Sequence, residues 1–218
     1  RMDEDHRVGM HSDLAHALSE REGVDPELVA RHYIAAKLPG DAVPFLWRAA
    51  EHATEALAFE RAAQLWEMVL EYGEWSSEQR RDVSARRGEV LGYLGRGEAS
   101  ASAYLQARDH ASDRVSARRF ERLAGEQLLR GGKFEEGRAI LEGLLSELGV
   151  RMPRRGAFLM AELVAQRARI SWRGLEIKQL KEISDVRREQ LDLCWCAAQM
   201  LSALDLKVGA YFGALHLL

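Results

Sequence analysis

The feature that most restricts how this chain can fold is an internal repeat of about 37 to 38 residues. Phe59, Gly97 and Phe134 occupy equivalent places in three turns. In each repeat a small residue lies nine positions before the turn residue, another lies three positions after it, and a large residue lies seven positions after it. These are Ala50, Ala62 and Trp66 in the first repeat, Gly88, Ser100 and Tyr104 in the second, and Gly125, Gly137 and Leu141 in the third. Small residues let two helix backbones approach, and a large residue fills the gap toward the next pair, so the spacing predicts stacked helix pairs.

Helical periodicity covers almost the whole chain. Apolar residues recur at three and four positions and strand-like alternation is absent, which predicts an all-α fold of about ten to eleven helices. Start signals are Asp25-Pro26-Glu27, Asp41 with Pro44, and a capping box of Ser76 with Gln79. The expected helices are 11–22, 26–37, 41–56, 58–72, 77–94, 98–111, 114–130, 134–148, 157–174, 178–205 and 207–218.

The repeat resembles that of tetratricopeptide proteins. A small residue is followed by Gly95 or Gly132 in the turn, then by Gly97 or Phe134, and then by the small and large residues of the second helix. The period is three or four residues longer than the usual 34, the closing proline is missing, and Leu57 stands where a turn glycine is expected. The resemblance implies a right-handed superhelix of antiparallel helix pairs, a tetratricopeptide-like solenoid.

This interpretation predicts four regions along the chain. Residues 1–40 would form N-terminal helices that lead into the repeats, and residues 41–149 would form three degenerate helix pairs. Residues 150–156 would form a basic linker, and residues 157–218 would form further helix pairs that are cut off at the C-terminal end.

Two stretches resemble the segment after the nucleotide-binding module in large bacterial STAND-type signalling ATPases, some of which are fused to Ser/Thr protein kinases or DNA-binding domains. The resemblance implies a regulatory sensor or protein-interaction arm whose partner is a protein, with the chemistry elsewhere in a longer chain. A start at Arg1 and an end within an apolar run are also expected of a fragment. The stretches are His32-Tyr33-Ile34-Ala35-Ala36, Ala42, Trp47-Arg48-Ala49-Ala50-Glu51-His52-Ala53 and Leu57 to Trp66, and then Glu147-Leu148-Gly149-Val150-Arg151-Met152-Pro153-Arg154.

Composition and motifs favour binding over catalysis. The chain is 47% hydrophobic and 30% charged with a net charge of −3, values typical of a soluble globular protein. It contains no phosphate-binding loop, no dinucleotide-binding glycine motif and no kinase catalytic loop. His6, His11 and His16 are five residues apart, a spacing that scatters them around a helix. We therefore expect no catalytic residue, no metal site and no cofactor.

The C-terminal region is the most apolar part of the chain. Cys194 and Cys196 flank Trp195 within an apolar run, which favours buried thiols and a core tryptophan over a redox pair. The absence of other cysteines fits a reducing cytoplasm. Residues 206–218 are too few to span a bilayer, and we expect this helix to lack its neighbour and to self-associate.

Charge is distributed unevenly: −7 over residues 1–112, +5 over 113–190 and −1 over 191–218. In a curved stack, the first helices of the pairs line the inner surface. On these first helices, the faces that point away from the second helices predict a partner-binding groove. Its charge would change along the stack from acidic, with two aromatic residues, to basic. The alternative is an ordinary polar surface. The groove residues are Trp47, Glu51, Glu55, Asp82, Glu89, Tyr93, Arg119, Arg122, Glu126 and Arg130.

Two other binding functions remain open. An apolar pocket near Trp172 or Trp195 would admit a small-molecule effector. The basic segment 151–181 would contact nucleic acid, although the glutamates within it favour a solvated face or a contact with another domain. Its cations are Arg151, Arg154, Arg155, Arg167, Arg169, Arg173, Lys178 and Lys181, with Phe158 and Trp172 interleaved.

Overall fold

The computed structural model describes residues 4–154, 156–174 and 183–218, and these residues form helices and no strand. The all-α prediction is therefore confirmed for the described part of the chain. Within these ranges the helices are α1 (Glu4–Ser19), α2 (Pro26–Ala35), α3 (Pro39–Glu55), α4 (Phe59–Tyr72), α5 (Ser77–Tyr93), α6 (Gly97–Asp109), α7 (Arg114–Arg130), α8 (Phe134–Glu147), α9 (Ala157–Arg173), α10 (Asp185–Ser202) and α11 (Leu206–Leu217).

The chain divides into two compact units, residues 1–112 and 113–218. In the first unit, which contains α1 to α6, each helix packs against the next. Its core is built from small and large residues in alternation, with Trp66 and Leu46 almost fully buried among alanines such as Ala50 and Ala62. This packing of consecutive helices is the arrangement expected of a helical repeat.

The second unit contains α7 to α11. Helix α7 pairs with α8 and α10 pairs with α11, while α9 packs against α11 and α10 also contacts α7 and α8. Leu141, Leu145, Leu193 and Phe212 fill the core between these helices. The Phe212 side chain is fully buried, so at this position α11 is covered by its own chain. Self-association through residues 206–218 stays a prediction.

The turns inside the predicted repeats share one backbone geometry. Leu57, Gly95 and Gly132 all have positive φ angles, of 58°, 70° and 83°. In each turn the amide of the following residue donates back to a carbonyl five residues earlier, as in the bond from Arg96 to Leu91 of 3.0 Å. Leu57 therefore adopts the left-handed conformation that the glycines adopt in the other two turns, and the departure from the repeat pattern changes the residue but not the turn.

Two small residues of the second pair of the repeat region, Gly88 and Ser100, show why small residues recur. A Cβ atom on Gly88 would lie 3.1 Å from the ring of Tyr104, which covers it from the facing helix. The Ser100 hydroxyl donates a 2.6 Å hydrogen bond to the Gly88 carbonyl. The large residue of the repeat thus lies against the small residue of its own pair, where the absent side chain leaves room for it.

Most helix starts agree with the sequence prediction, but that of α3 does not. The Asp25 side chain accepts from the Glu27 amide at 3.0 Å, and the Ser76–Gln79 capping box is present in both directions. The predicted cap at Asp41 is wrong because α3 begins at Pro39, with Pro44 inside the helix. A proline suits the first helical turn, where amides lack carbonyl partners, so Pro39 provides the start.

The starts of two other helices, α1 and α10, also differ from the prediction. Helix α1 begins at Glu4, well before the predicted residue 11, because its charged and histidine-rich first turns hide the apolar period. Helix α10 begins at Asp185, where the Ser184 hydroxyl caps it, and the predicted start over 178–182 lies outside the described residues. Within the described ranges, no helix combines the length and apolar character that a membrane crossing requires.

Candidate functional site

In the first unit, the predicted groove residue Glu51 joins an aromatic cluster. Its Oε1 atom accepts hydrogen bonds from Trp47 Nε1 at 2.9 Å and from Arg86 Nη1 at 3.2 Å. The Arg86 guanidinium lies over the rings of Trp47 and Trp66, 5.5 and 5.4 Å from their centroids. Arg86 was missed by the sequence argument because its partners lie on two other helices, and its hydrogen bond to Glu51 spans 35 residues.

The groove prediction required Trp47 to point away from the second helix of its pair, but its ring packs against that helix. Its ring meets the Trp66 ring of α4 edge to face at 5.2 Å, and Trp75 lies 5.8 Å away. A tryptophan offers a large apolar surface, and burial against two other rings is more favourable than exposure in a polar groove. Trp47 therefore acts in packing at the edge of the first-unit core.

The remaining predicted residues of the first unit are mostly bound to neighbours. Tyr93 is 60% exposed, stacks on Phe59 at 4.8 Å and donates to Glu89 at 3.0 Å. That hydrogen bond raises the pKa of the Tyr93 hydroxyl. Asp82 pairs with the adjacent Arg81 at 2.7 Å. Glu55 is exposed, and of these residues Tyr93 presents the largest accessible apolar surface.

In the second unit, an arginine and glutamate network fixes α7 against α8 and α10. Arg118 donates to both oxygens of Glu189 on α10, at 2.6 and 2.9 Å, and to Glu147 on α8 at 2.8 Å. Glu147 also accepts from Arg114, and this hydrogen bond, with that from Arg118, lowers the pKa of Glu147 to about 2. Paired arginine and carboxylate groups of this kind are geometrically specific.

The cleft between α7 and α10 contains two of the predicted groove residues, Arg119 and Arg122. Because Arg118 contacts Glu189 and Arg122 contacts Cys196, the two helices run in the same direction with a cavity of about 210 Å³ beside them. Leu144 forms part of its apolar floor. The full lining is Val115, Arg118, Arg119, Arg122, Leu144, Asp185, Arg188, Glu189, Asp192 and Leu193.

Two cations of the cleft are available to a ligand. Arg119 and Arg188 are exposed, and neither guanidinium group has a hydrogen-bond or ion-pair partner among the described residues. Arg118, by contrast, is occupied by carboxylates. Asp185 and Asp192 also line the cleft, so it offers a mixed surface with two free guanidinium groups rather than a uniformly positive one. A guanidinium binds a carboxylate through two parallel hydrogen bonds, so an acidic side chain is a suitable ligand for this cleft.

Toward the C-terminal end of α7, predicted groove residues form ion pairs with one carboxylate, that of Glu126. Glu126 lies 2.6 Å from Arg130 and 3.7 Å from Arg122, each four residues away along the helix. The structure therefore brings together Arg119, Arg122, Glu126 and Arg130 on α7, with the first two in the cleft. Arg188 was missed by the sequence argument since it lies on a helix about seventy residues later.

The cysteines agree with the expectation of buried thiols, but Trp195 does not lie in the core. Burial raises the pKa of Cys194 and raises that of Cys196 to about 11. Trp195 is 51% exposed, and its ring lies 5.3 Å from that of His216. On a helix, a residue between two buried ones at positions i−1 and i+1 points away from both, which is why all three cannot share the core.

The basic segment is only partly described. Arg154 places its guanidinium 5.7 Å from the Phe158 ring centroid, and Trp172 is 93% exposed. Arg155, Lys178 and Lys181 lie outside the described residues.

A second cavity, of about 490 Å³, lies in the same unit. Its walls are mixed in character: apolar residues such as Met152, Leu159 and Leu201 lie beside the charged residues Arg138, Arg154, Asp205 and Lys207. Neither Trp172 nor Trp195 belongs to its lining.

Histidines and carboxylates do not gather into a metal site within the described ranges, where no group of three or more potential ligands converges. Two histidines do meet: His11 Nδ1 and His32 Nδ1 lie 2.9 Å apart between α1 and α2. Burial, followed by the charges of His11 and Arg31, lowers the pKa of His32.

Comparison of the chain with protein-family models, with curated proteins and with solved structures finds no match. The site must therefore be interpreted from its own geometry.

Proposed function

We propose that this chain is a non-catalytic helical-repeat arm of a larger bacterial signalling protein, of the STAND ATPase type or a Ser/Thr kinase fusion, and that it captures an acidic protein segment in the cytoplasm. The supporting observation is the α7–α10 cleft, where the Arg119 and Arg188 guanidinium groups have no partner among the described residues. The resemblance to tetratricopeptide repeats supports the class of protein.

The cleft suits a short acidic segment for two physical reasons. Its free guanidinium groups can pair with carboxylates without first breaking an internal ion pair, unlike Arg118. Val115, which lines the cleft and is 46% exposed, can cover an apolar side chain of the same segment, which supplies the non-electrostatic part of the affinity. Charge attraction would also speed the encounter at low salt.

The test is a titration with a labelled glutamate-rich peptide that carries a central leucine. We expect the double variant Arg119→Glu with Arg188→Glu to bind at least tenfold more weakly, with an unchanged far-UV circular dichroism spectrum. The matched control is Arg48→Glu, an exposed arginine of the first unit. Undiminished binding by the double variant, or an equal loss in the control, would contradict the proposal.

A small-molecule effector site is the second candidate, because the 490 Å³ cavity falls in the size range of ligand pockets and combines apolar walls with a few charged groups. A thermal-shift screen of metabolites tests it. A genuine ligand would raise the melting temperature of the wild type but not that of Leu204→Trp, a change at a half-exposed wall position that fills the space. Nucleic-acid contact through residues 151–181 stays a weaker alternative, marked by steep salt dependence.

A further inference from the structure

Helix α9 has two faces of different character. One face carries Leu159, Leu163, Gln166 and Ile170, which are buried or half-buried, and α9 packs against α11. The opposite face is exposed but is not polar. A soluble helix normally places charged residues on its exposed face, so this exception requires an explanation.

The exposed face is a continuous apolar stripe with heptad spacing. Phe158 and Trp172 are at its ends and are 63% and 93% exposed. Three exposed alanines lie between them at alternating three- and four-residue steps, the spacing of a coiled-coil seam. The α9 stripe consists of Phe158, Ala161, Ala165, Ala168 and Trp172.

The order of residue sizes in the α9 stripe suits a second helix. At 1.5 Å per residue, the two aromatic residues are about 21 Å apart along the helix, or about four turns. The alanines between them let another helix backbone approach closely, while the rings cover its flanks at each end. A membrane surface would gain little from three alanines, because adsorption depends on the apolar area that is buried.

The charges beside the stripe select the partner. Arg154 lies over the Phe158 ring at one end of the stripe. By helical spacing Arg169 and Arg173 lie beside the stripe on α9, although Arg173 also donates to the Leu218 carbonyl at 2.7 Å. Glu162 is the sole acid of α9, and its Oε2 atom is buried. A second copy of α9 would bring like charges together, whereas a helix flanked by glutamates would pair with them.

From this arrangement we infer that the α9 stripe is a docking surface for an acidic amphipathic helix with an apolar heptad seam. The site is separate from the α7–α10 cleft and does not depend on it. The partner helix places its seam residues over the alanines and its carboxylates beside Arg154 and Arg169.

The experiment uses two heptad peptides with leucine seams, one flanked by glutamates and one by lysines. Like-charge repulsion keeps each peptide largely unfolded alone, so docking appears as a gain of helical circular dichroism signal on mixing with the whole chain. We expect the glutamate peptide to gain helix and to bind at least tenfold more tightly than the lysine peptide.

Substitutions on α9 provide the controls. Ala165→Gln and Trp172→Ala change exposed side chains, and each should weaken binding of the glutamate peptide at least tenfold. Ser171→Gln makes the same kind of change outside the stripe and should have no effect. The Arg119→Glu with Arg188→Glu variant should also bind normally, which separates this proposal from that for the cleft.

Four outcomes would overturn the proposal. The first is that the glutamate peptide gains no helical signal on mixing. The second is that the lysine peptide binds as tightly as the glutamate peptide. The third is that binding of the glutamate peptide is unchanged in Ala165→Gln and Trp172→Ala. The fourth is a stripe-dependent association with phosphatidylserine vesicles, or of the chain with itself, in place of peptide binding.

Discussion

Gly137 on α8 faces Gly125 on α7 so closely that a Cβ atom on Gly137 would lie 2.7 Å from the Gly125 carbonyl oxygen and 2.8 Å from Leu129 Cγ. Because backbone cannot move aside cheaply, we expect Gly137→Ala to destabilise the protein by about 1–3 kcal/mol. The control is Gly143→Ala in the same helix, where a Cβ meets nothing within 4 Å.

Gly143→Ala should stabilise the helix by up to about 1 kcal/mol, through the higher helix propensity of alanine. Chemical denaturation of both variants measures the two free energies of unfolding. Similar values for the two would mean that the close approach of α7 and α8 does not constrain residue 137.

The turn between α3 and α4 offers a stabilising substitution. Leu57 holds φ at 58°, a conformation that costs an L-residue about 1–2 kcal/mol, and its side chain is 70% exposed. Leu57→Gly should therefore increase the free energy of unfolding by about 0.5–1 kcal/mol, after the greater freedom of glycine in the unfolded chain is subtracted.

Gly95→Ala is the matched change in the reverse direction. Gly95 has φ of 70°, and a Cβ there meets nothing within 4 Å, so the cost of about 1 kcal/mol is purely conformational. Thermal unfolding of both variants should give shifts of opposite sign, and a lowered melting temperature for Leu57→Gly would contradict the argument.

The contact of His11 with His32 predicts a loss of stability in mild acid. Burial and neighbouring positive charge lower the pKa of His32 in the folded protein, so below the usual histidine value near 6.5 the unfolded chain takes up protons more readily than the folded one. Stability due to this group is present at neutral pH and is lost as the pH falls below about 6.5.

Denaturant unfolding at pH 7.5 and at about pH 5.5, where carboxylates stay ionised, measures the effect. In His11→Gln the loss between these two pH values should be smaller than in the wild type, because one of the two interacting charges is gone. An unchanged loss would assign the pH dependence to other groups.

The buried thiols should react slowly. With a pKa of about 11, Cys196 is ionised in only about one molecule in a thousand at pH 8, and the thiolate is the reactive form. A disulfide reagent read by absorbance should therefore modify Cys194 and Cys196 far more slowly than it modifies free glutathione, and should modify both at once in guanidinium chloride. Fast reaction in the native protein would contradict the burial.

Much of the fold was predictable because its signals are local. The apolar period and the caps at Asp25 and Ser76 placed most helices to within two residues. The boundary between the acidic and basic regions at residue 112 also coincides with the division into two units. The start of α3 was misplaced since Pro39 and Asp41 both carry start signals, and local sequence does not rank them.

The candidate site was predictable only in part. Helical spacing put Arg119 and Arg122 on one face of α7, and the structure places both in the cleft. Helical spacing could not identify Arg188. Nor could it distinguish Arg118 from Arg119, because the ion pair of Arg118 with Glu189, 71 residues later, decides which arginine is free.

The sequence by itself determined the helices, their turns and the small residues that let paired helices approach, because backbone hydrogen bonding and steric fit act between residues close in the chain. Tertiary structure decided which charges are neutralised and which apolar side chains stay exposed. Arg118 is ion-paired and Trp172 is exposed for the same reason, because the state of each side chain depends on whether a helix distant in the sequence packs beside it.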